Sequence, residues 1–156
     1  PGHGSSLGDS HLGFVDITNT WNEKELEPYR YFIQNNKADM IMTAHVYNEN
    51  LDKNYPATLS FSINTNLLRN RLGFEGVIVS DDLQMSAISK HYDLKQTVTL
   101  AINSGVNMLL FANQLAQPIT LKQIVDTVYS QILNEQIPLE KIILSNQRID
   151  RMMSKY

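Results

Sequence analysis

Three short runs of apolar residues recur along the chain. They cover residues 39–45, 76–81 and 106–111, and none alternates strictly between apolar and polar positions. Continuous apolar runs of this length are typical of strands in a parallel sheet that is covered on both faces. The intervals between them leave room for a helix, which suits strand-helix-strand units.

Amphipathic helical patterns fill these intervals and the C-terminal part of the chain. Apolar residues recur at helical spacing over residues 23–34, 63–72, 97–104, 119–133 and 139–153. Gly105 is expected to end the third helix as a C-cap, and Pro138 stands where the last helix should begin. The pattern therefore predicts an α/β fold with three parallel strands and flanking helices. Periodicity alone leaves two arrangements open, a doubly wound open sheet and part of a (β/α)8 barrel.

The composition is that of an ordinary globular protein and narrows the function classes. The 156 residues carry 13 basic and 16 acidic side chains, and no basic cluster of the kind that nucleic-acid binding needs. No apolar run is long enough to span a membrane, and the absence of cysteine excludes disulfides and thiolate metal ligands. We therefore expect neither a nucleic acid nor a membrane as a partner.

The chain begins at Pro1, without an initiator methionine, in a segment that the sequence predicts to be a loop. A complete (β/α)8 barrel takes about 250 residues. If the fold is a barrel, 156 residues hold only part of it. The expectation is one partial-barrel domain over residues 1–156 that lacks the N-terminal half of the barrel.

Two carboxylates follow the second apolar run. In parallel α/β folds, functional side chains gather at the C-terminal ends of strands, where Asp81 and Asp82 are expected. Neighbouring residues of a strand point to opposite sides, so one of the two can face a pocket. The other can cap a helix that starts at Leu83. The alternative is that both are turn or cap residues without a chemical role.

The N-terminal segment, residues 1–11, is rich in glycine and serine and is predicted to be a loop. Asp9 and His11 lie two positions apart, so in an extended segment their side chains share one side. A carboxylate beside an imidazole orients the ring and favours its protonated form, which prepares a general acid or base. The alternative is a solvated loop that carries histidine by chance.

Taken together, these motifs resemble glycoside hydrolase family 3 in its β-N-acetylhexosaminidase branch. The resemblance covers nearly the whole chain in the order of the family. It rests on the stretches Pro1-Gly2-His3-Gly4, Asp9-Ser10-His11, Met42-Thr43-Ala44-His45, Pro56-Ala57 with Ser60, Leu68-Arg69, Leu72-Gly73-Phe74, Gly76-Val77, Ser80-Asp81-Asp82-Leu83 with Met85, Ala101 with Gly105, and Arg148-Ile149. It implies the C-terminal half of a (β/α)8 (TIM) barrel.

The resemblance also implies a reaction and a role for particular residues. Asp81 corresponds to the nucleophile, His11 to the acid/base and Asp9 to the partner of His11. The residues implied in substrate binding are His3, His45 and Met85. The implied reaction is the removal of a terminal β-linked N-acetylglucosamine with retention of configuration, for which no cofactor or metal is needed. For a bacterial protein of this branch we expect cell-wall muropeptides as substrates and a cytoplasmic location.

Two other functions stay open. One is a metal-dependent hydrolase on a similar barrel, with ligands drawn from His3, His11, His45, Asp9 and Asp81. The other is a non-catalytic barrel segment that serves as a scaffold. A half barrel leaves strand edges unpaired and its interior open to water. We therefore expect the chain to be inactive alone, and to self-associate or to pair with the missing half of the barrel.

Overall fold

The computed structural model describes residues 1–8, 15–114 and 117–156. Its strands are β1 (Val15–Asp16), β2 (Met40–Met42), β3 (Val46–Tyr47), β4 (Val77–Asp82) and β5 (Met108–Leu110). Its α-helices are α1 (Glu27–Gln34), α2 (Ser86–Ser89), α3 (Leu94–Ser104), α4 (Leu121–Leu133) and α5 (Leu139–Met153). Two 3₁₀ helices span Glu23–Leu26 and Ala57–Leu59, and a π-helix spans Ser62–Arg71.

The three predicted strands form one parallel sheet in the order β2-β4-β5. Met40 pairs with Val77 and Met42 with Val79, while Val79 also pairs with Met108 on the other side. The ladder between β4 and β5 contains an irregularity between Val79 and Asp82. This arrangement confirms the α/β fold with three parallel strands and flanking helices.

The first apolar run is broken, which the sequence did not predict. β2 ends at Met42, and the chain then turns away to form β3, which pairs in parallel with β1 in a separate two-stranded sheet. The residues between the two strands include Thr43 and His45, which are polar and yet buried. In this chain the backbone leaves the sheet after Met42, next to the polar residue Thr43.

The helices agree with their predicted positions except at a few ends. Gly105 takes a left-handed conformation with φ 110° and ends α3, as expected for a glycine C-cap. Pro138 directly precedes α5. In the π-helix, the Leu72 amide donates to the Leu67 carbonyl five residues earlier, at 2.9 Å. No helix in the described ranges is both long and apolar enough to cross a membrane.

One of the three hydrophobic clusters lies on one face of the three-stranded sheet. Ile41, Ile78 and Leu109, one from each strand, pack there against side chains of the surrounding helices. The opposite face is open: Met40, Met42 and Leu110 are 40%, 56% and 37% exposed. Side chains alternate between the two faces of a strand, so these exposed residues share the side that a closed barrel would enclose.

Arg69 fixes the starts of β4 and β5. Its guanidinium donates to the carbonyls of Phe74 and Gly76, both at 3.1 Å, and to the side-chain oxygen of Asn107 at 2.6 Å. A further bond reaches the Gly105 carbonyl at 3.4 Å. Burial lowers the pKa of Arg69 to about 10, with a smaller contribution from Arg148. The side chain thus stays charged at neutral pH and crosslinks the N-terminal ends of two strands.

Replacing Arg69 with methionine should lower the free energy of unfolding by about 3 kcal/mol, because partly buried acceptors lose a charged donor. Arg71→Met is the matched control, since Arg71 makes an exposed ion pair with Glu23. It should cost less than about 1 kcal/mol. Urea denaturation measures both. Equal losses in the two variants would contradict the role given to Arg69.

Candidate active site

Asp81 and Asp82 at the end of β4 have different surroundings. Asp82 is only 6% exposed, and its Oδ1 accepts hydrogen bonds from the amides of Gln84 and Ala112, both at 3.1 Å. Asp81 is partly exposed, and its Oδ1 accepts only the Asp82 amide, at 2.8 Å, among the bonds described. Asp81 is therefore the more accessible and less engaged of the two carboxylates.

The two aspartates differ in their surroundings, as predicted, but the prediction that one of them caps a helix is wrong. No helix starts at Leu83, because residues 83–85 form a turn and α2 begins at Ser86. Asp82 instead holds this turn through Gln84 and the segment after β5 through Ala112. It ties the ends of two neighbouring strands together, which keeps the strand end under Asp81 rigid.

A cavity of about 290 Å³ opens beside Asp81. Its walls include Thr43 and Ala44 from the end of β2 and His3 from the N-terminal loop. The structure thus brings His3 and Asp81, two of the predicted site residues, to the same cavity. This volume is close to the lower limit for small-ligand pockets.

His45 is fully buried and does not line this cavity. Its Nε2 is 2.8 Å from the Asp82 carbonyl oxygen, and its Nδ1 is 2.8 Å from the Thr58 hydroxyl. A carbonyl can only accept, so Nε2 carries a proton. Burial lowers the pKa of His45 and outweighs the opposing effects of the Asp82 carbonyl and the two aspartates. The ring is therefore neutral near pH 7, with an unprotonated Nδ1 that accepts from Thr58.

Met85 is also buried, at 2% exposure, and its backbone amide donates to the same Asp82 carbonyl at 3.0 Å. His45 and Met85 therefore support the strand end from below, whereas His3 and Asp81 line the cavity. This placement indicates a supporting position for the first two, and their contact with a substrate stays a prediction. Asp9 and His11, the predicted acid/base pair, lie outside the described residues.

Two threonines complete the arrangement, and no role was predicted for either. The Asp81 amide donates to the Thr43 hydroxyl at 3.3 Å, and Thr43 donates to the Thr58 hydroxyl at 2.9 Å. Thr43 stands two residues before His45, and this same-side spacing was the available signal. Thr58 follows 13 residues after His45 in the short 3₁₀ helix Ala57–Leu59, so nothing in the sequence pattern connects it to the site.

The described part of the chain contains no cluster of three or more His, Asp or Glu side chains that could hold a metal ion. Among the metal-capable residues named from the sequence, His45 has both ring nitrogens engaged with protein groups. It would have to give up a buried hydrogen bond to bind a metal.

Comparison with known proteins places this geometry in a family. Residues 1–152 match the family described as glycosyl hydrolase family 3 N terminal domain. β-Hexosaminidase A from Pseudoalteromonas piscicida is 30% identical over 99% of this chain and 29% of its own length. A β-hexosaminidase from Tolumonas auensis is 38% identical over 78% of this chain and 37% of its own length. The chain thus spans about a third of the length of these relatives.

Solved structures share the fold over nearly the whole chain. Zinc-bound CbsA from Thermotoga neapolitana superposes with a TM-score of 0.88 at 30% identity, covering 99% of this chain and 34% of that protein. The β-N-acetylglucosaminidase from Thermotoga maritima gives 0.84 at 31% identity, with 99% and 33% covered. A glycoside hydrolase family 3 β-N-acetylglucosaminidase from Paenibacillus gives 0.86 at 30% identity, with 99% and 29% covered. By the match over residues 1–152, this chain belongs to glycosyl hydrolase family 3.

Proposed function

We propose that this chain supplies the nucleophile of a retaining β-N-acetylhexosaminidase, which releases terminal β-linked N-acetylglucosamine. One observation carries the proposal: Asp81 opens to a cavity at the end of β4 while Asp82 is buried and engaged. The names of the related β-hexosaminidases and β-N-acetylglucosaminidases support the substrate class.

In this reaction the Asp81 carboxylate attacks the anomeric carbon of the sugar and forms a glycosyl ester. The bond to the leaving oxygen breaks, and His11 gives that oxygen a proton. Water then attacks the same carbon, His11 takes a proton from the water, and the ester bond to Asp81 breaks. Two inversions give net retention. The resemblance to the family assigns His11 and its partner Asp9 to these proton transfers.

Asp81→Asn in the full-length protein should lower kcat for a chromogenic N-acetyl-β-glucosaminide by about 10³-fold or more, because an amide is a poor nucleophile. Asp82→Asn is the matched control, since its remaining side-chain oxygen still accepts the two amide hydrogen bonds. It should lose no more than about tenfold. Mass spectrometry of quenched wild-type protein should detect a glycosyl ester on Asp81. A wild-type rate in Asp81→Asn would contradict the assignment.

We further propose that additional barrel strands pair with the outer edge of β2 and cover the open face of the sheet. Support comes from exposed Met40, Met42 and Leu110, and from β2, which pairs only with β4 within the residues that the structure describes. Exposed apolar side chains beside an unpaired strand edge favour association. The preferred occupant is the rest of the barrel, and self-association of this chain is the alternative.

The chain alone should therefore turn over the same substrate at least about 10³-fold more slowly than the full-length protein, because the groups that position substrate are incomplete. Light scattering on the purified chain distinguishes a monomer from a self-associated form. Adding the remaining barrel segment should restore activity if the two halves pair. Turnover by the chain alone at the full-length rate would contradict this prediction.

For the physiological substrate we propose cell-wall muropeptides, as part of peptidoglycan recycling in the cytoplasm. The support is the resemblance to the β-N-acetylhexosaminidase branch. The full-length protein should have a kcat/KM about tenfold or more higher for an N-acetylglucosaminyl muropeptide than for a chitin disaccharide, because peptide contacts add binding energy in the transition state. An equal or reversed ratio would argue for a chitin-derived substrate.

A metal-dependent hydrolase is not proposed. One relative was solved with zinc bound. In this chain, however, residues 1–8, 15–114 and 117–156 do not gather three candidate ligands. A scaffold without catalysis is likewise not proposed, because a partly exposed carboxylate with free acceptor capacity lines the cavity.

A further inference from the structure

We propose that His45 is a positioning residue for Asp81, which it holds through the Asp82 carbonyl on one side and through the Thr58 and Thr43 hydroxyls on the other. This inference rests on the proposed role of Asp81 as nucleophile. It assigns a function in catalysis to a buried histidine that lines no described cavity around the site.

Hydrogen bonds with the side chains of Thr43 and His45 take the place of backbone pairing at the ends of β2 and β4. The last backbone hydrogen bond between β2 and β4 runs from the Thr43 amide to the Val79 carbonyl at 2.9 Å. Beyond it the chain leaves the sheet. The next polar groups of β4, the Asp81 amide and the Asp82 carbonyl, then bond to the side chains of Thr43 and His45 instead. Side chains therefore continue the pairing across the residue that carries the carboxylate.

The donors and acceptors of this network allow only one direction when the ring is neutral. Because Nε2 of His45 donates to a carbonyl, Nδ1 must accept, so the Thr58 hydroxyl donates to it. The oxygen of Thr58 then accepts from Thr43, whose own oxygen accepts from the Asp81 amide. Each hydroxyl gives one hydrogen bond and takes one, so a change at His45 is felt at the backbone of Asp81.

The backbone around Thr58 is fixed by hydrogen bonds from two other elements. The Asn64 side chain in the π-helix donates to the Ala57 and Thr58 carbonyls at 2.9 and 3.1 Å. The Ser104 hydroxyl at the end of α3 is 3.0 Å from the Asn64 amide nitrogen and 3.3 Å from the Thr58 carbonyl. The hydroxyl of Thr58 therefore faces His45 from a fixed backbone, which suits a positioning network.

A nucleophile must stand about 3–3.5 Å from the carbon it attacks, and a misplacement of about 1 Å can cost 100-fold in rate. Loss of positioning should therefore reduce kcat more than it raises KM. A histidine that only filled the core would behave differently. Its loss would lower the melting temperature and the fraction of active enzyme, without a specific effect on kcat per folded molecule.

The first test is Thr58→Val in the full-length enzyme, a change of nearly constant volume. We expect kcat to fall roughly 10- to 100-fold with KM within about threefold. Thr58→Ser should recover most of kcat, because it restores the hydroxyl. Thr65→Val is the control: the Thr65 hydroxyl donates to the Ser104 carbonyl at 2.7 Å and makes no described bond to Asp81, Thr43 or His45. Equal kcat in Thr58→Val and Thr65→Val would overturn the proposal.

The second test uses His45 itself. His45→Gln can keep the donor to the Asp82 carbonyl, but its amide oxygen is displaced from the position of the ring Nδ1, which breaks the hydrogen bond from Thr58. If the network acts as one path, kcat of the double variant Thr58→Val/His45→Gln should match that of His45→Gln within about twofold. Multiplied losses would overturn the proposal. Rates are divided by the folded fraction, measured by thermal unfolding of each variant, so partial unfolding does not count as loss of positioning.

The two proposals fail in different ways. If Asp81→Asn keeps the wild-type rate, Asp81 is not the nucleophile and the proposed function fails. If Asp81→Asn is inactive, while Thr58→Val still forms the glycosyl ester and keeps the wild-type kcat, the assignment of the nucleophile stands. The positioning role of His45 is then wrong.

Discussion

The hydrogen bond from His45 to the Asp82 carbonyl is the constraint on which the candidate site depends. It joins the segment after β2 to the end of β4, where backbone pairing has already stopped. A buried polar group without a partner costs about 1–3 kcal/mol. Both residues are buried, so breaking this bond leaves the Nε2 proton of His45 without a partner, while the carbonyl keeps only the Met85 amide. The energetic penalty keeps the strand end in place.

The two carboxylates at the end of β4 differ in how far the surrounding groups engage them. The Asp82 carboxylate accepts two amides, and the Asp82 carbonyl accepts from His45 and Met85. Asp81 accepts a single described hydrogen bond, is partly exposed and lines the cavity. Specific use of one aspartate from a pair therefore needs no special chemistry in that residue. It follows from the greater exposure of Asp81 and from the burial of Asp82.

The sequence predicted the sheet better than it predicted the site. The three apolar runs became the strands β2, β4 and β5 because a central parallel strand must be apolar on both sides, which leaves an unmistakable pattern. β1 and β3 are two residues long, too short for any periodicity to emerge. The break after Met42 depends on side-chain hydrogen bonds from elsewhere in the chain, which no local pattern can encode.

The site residues also divide into those that a local sequence pattern indicates and those that only tertiary contacts determine. Asp81 was predictable from its place at a strand end, and His3 from its motif. Burial of His45 was not, because its main partner Thr58 comes from a separate 3₁₀ helix whose position is fixed by Asn64 and Ser104. Tertiary contacts decide whether a histidine at a strand end meets substrate or backbone.

The residues that position Asp81 differ from those that would enclose its substrate. The hydrogen bonds that fix the strand end come from residues 43–112, so this part of the site is built within the described chain. The face around Met40, Met42 and Leu110 stays open, and closure of the barrel would hold the substrate in position against Asp81. Nucleophile geometry can therefore be correct before the barrel is closed, while a productive reaction depends on closure.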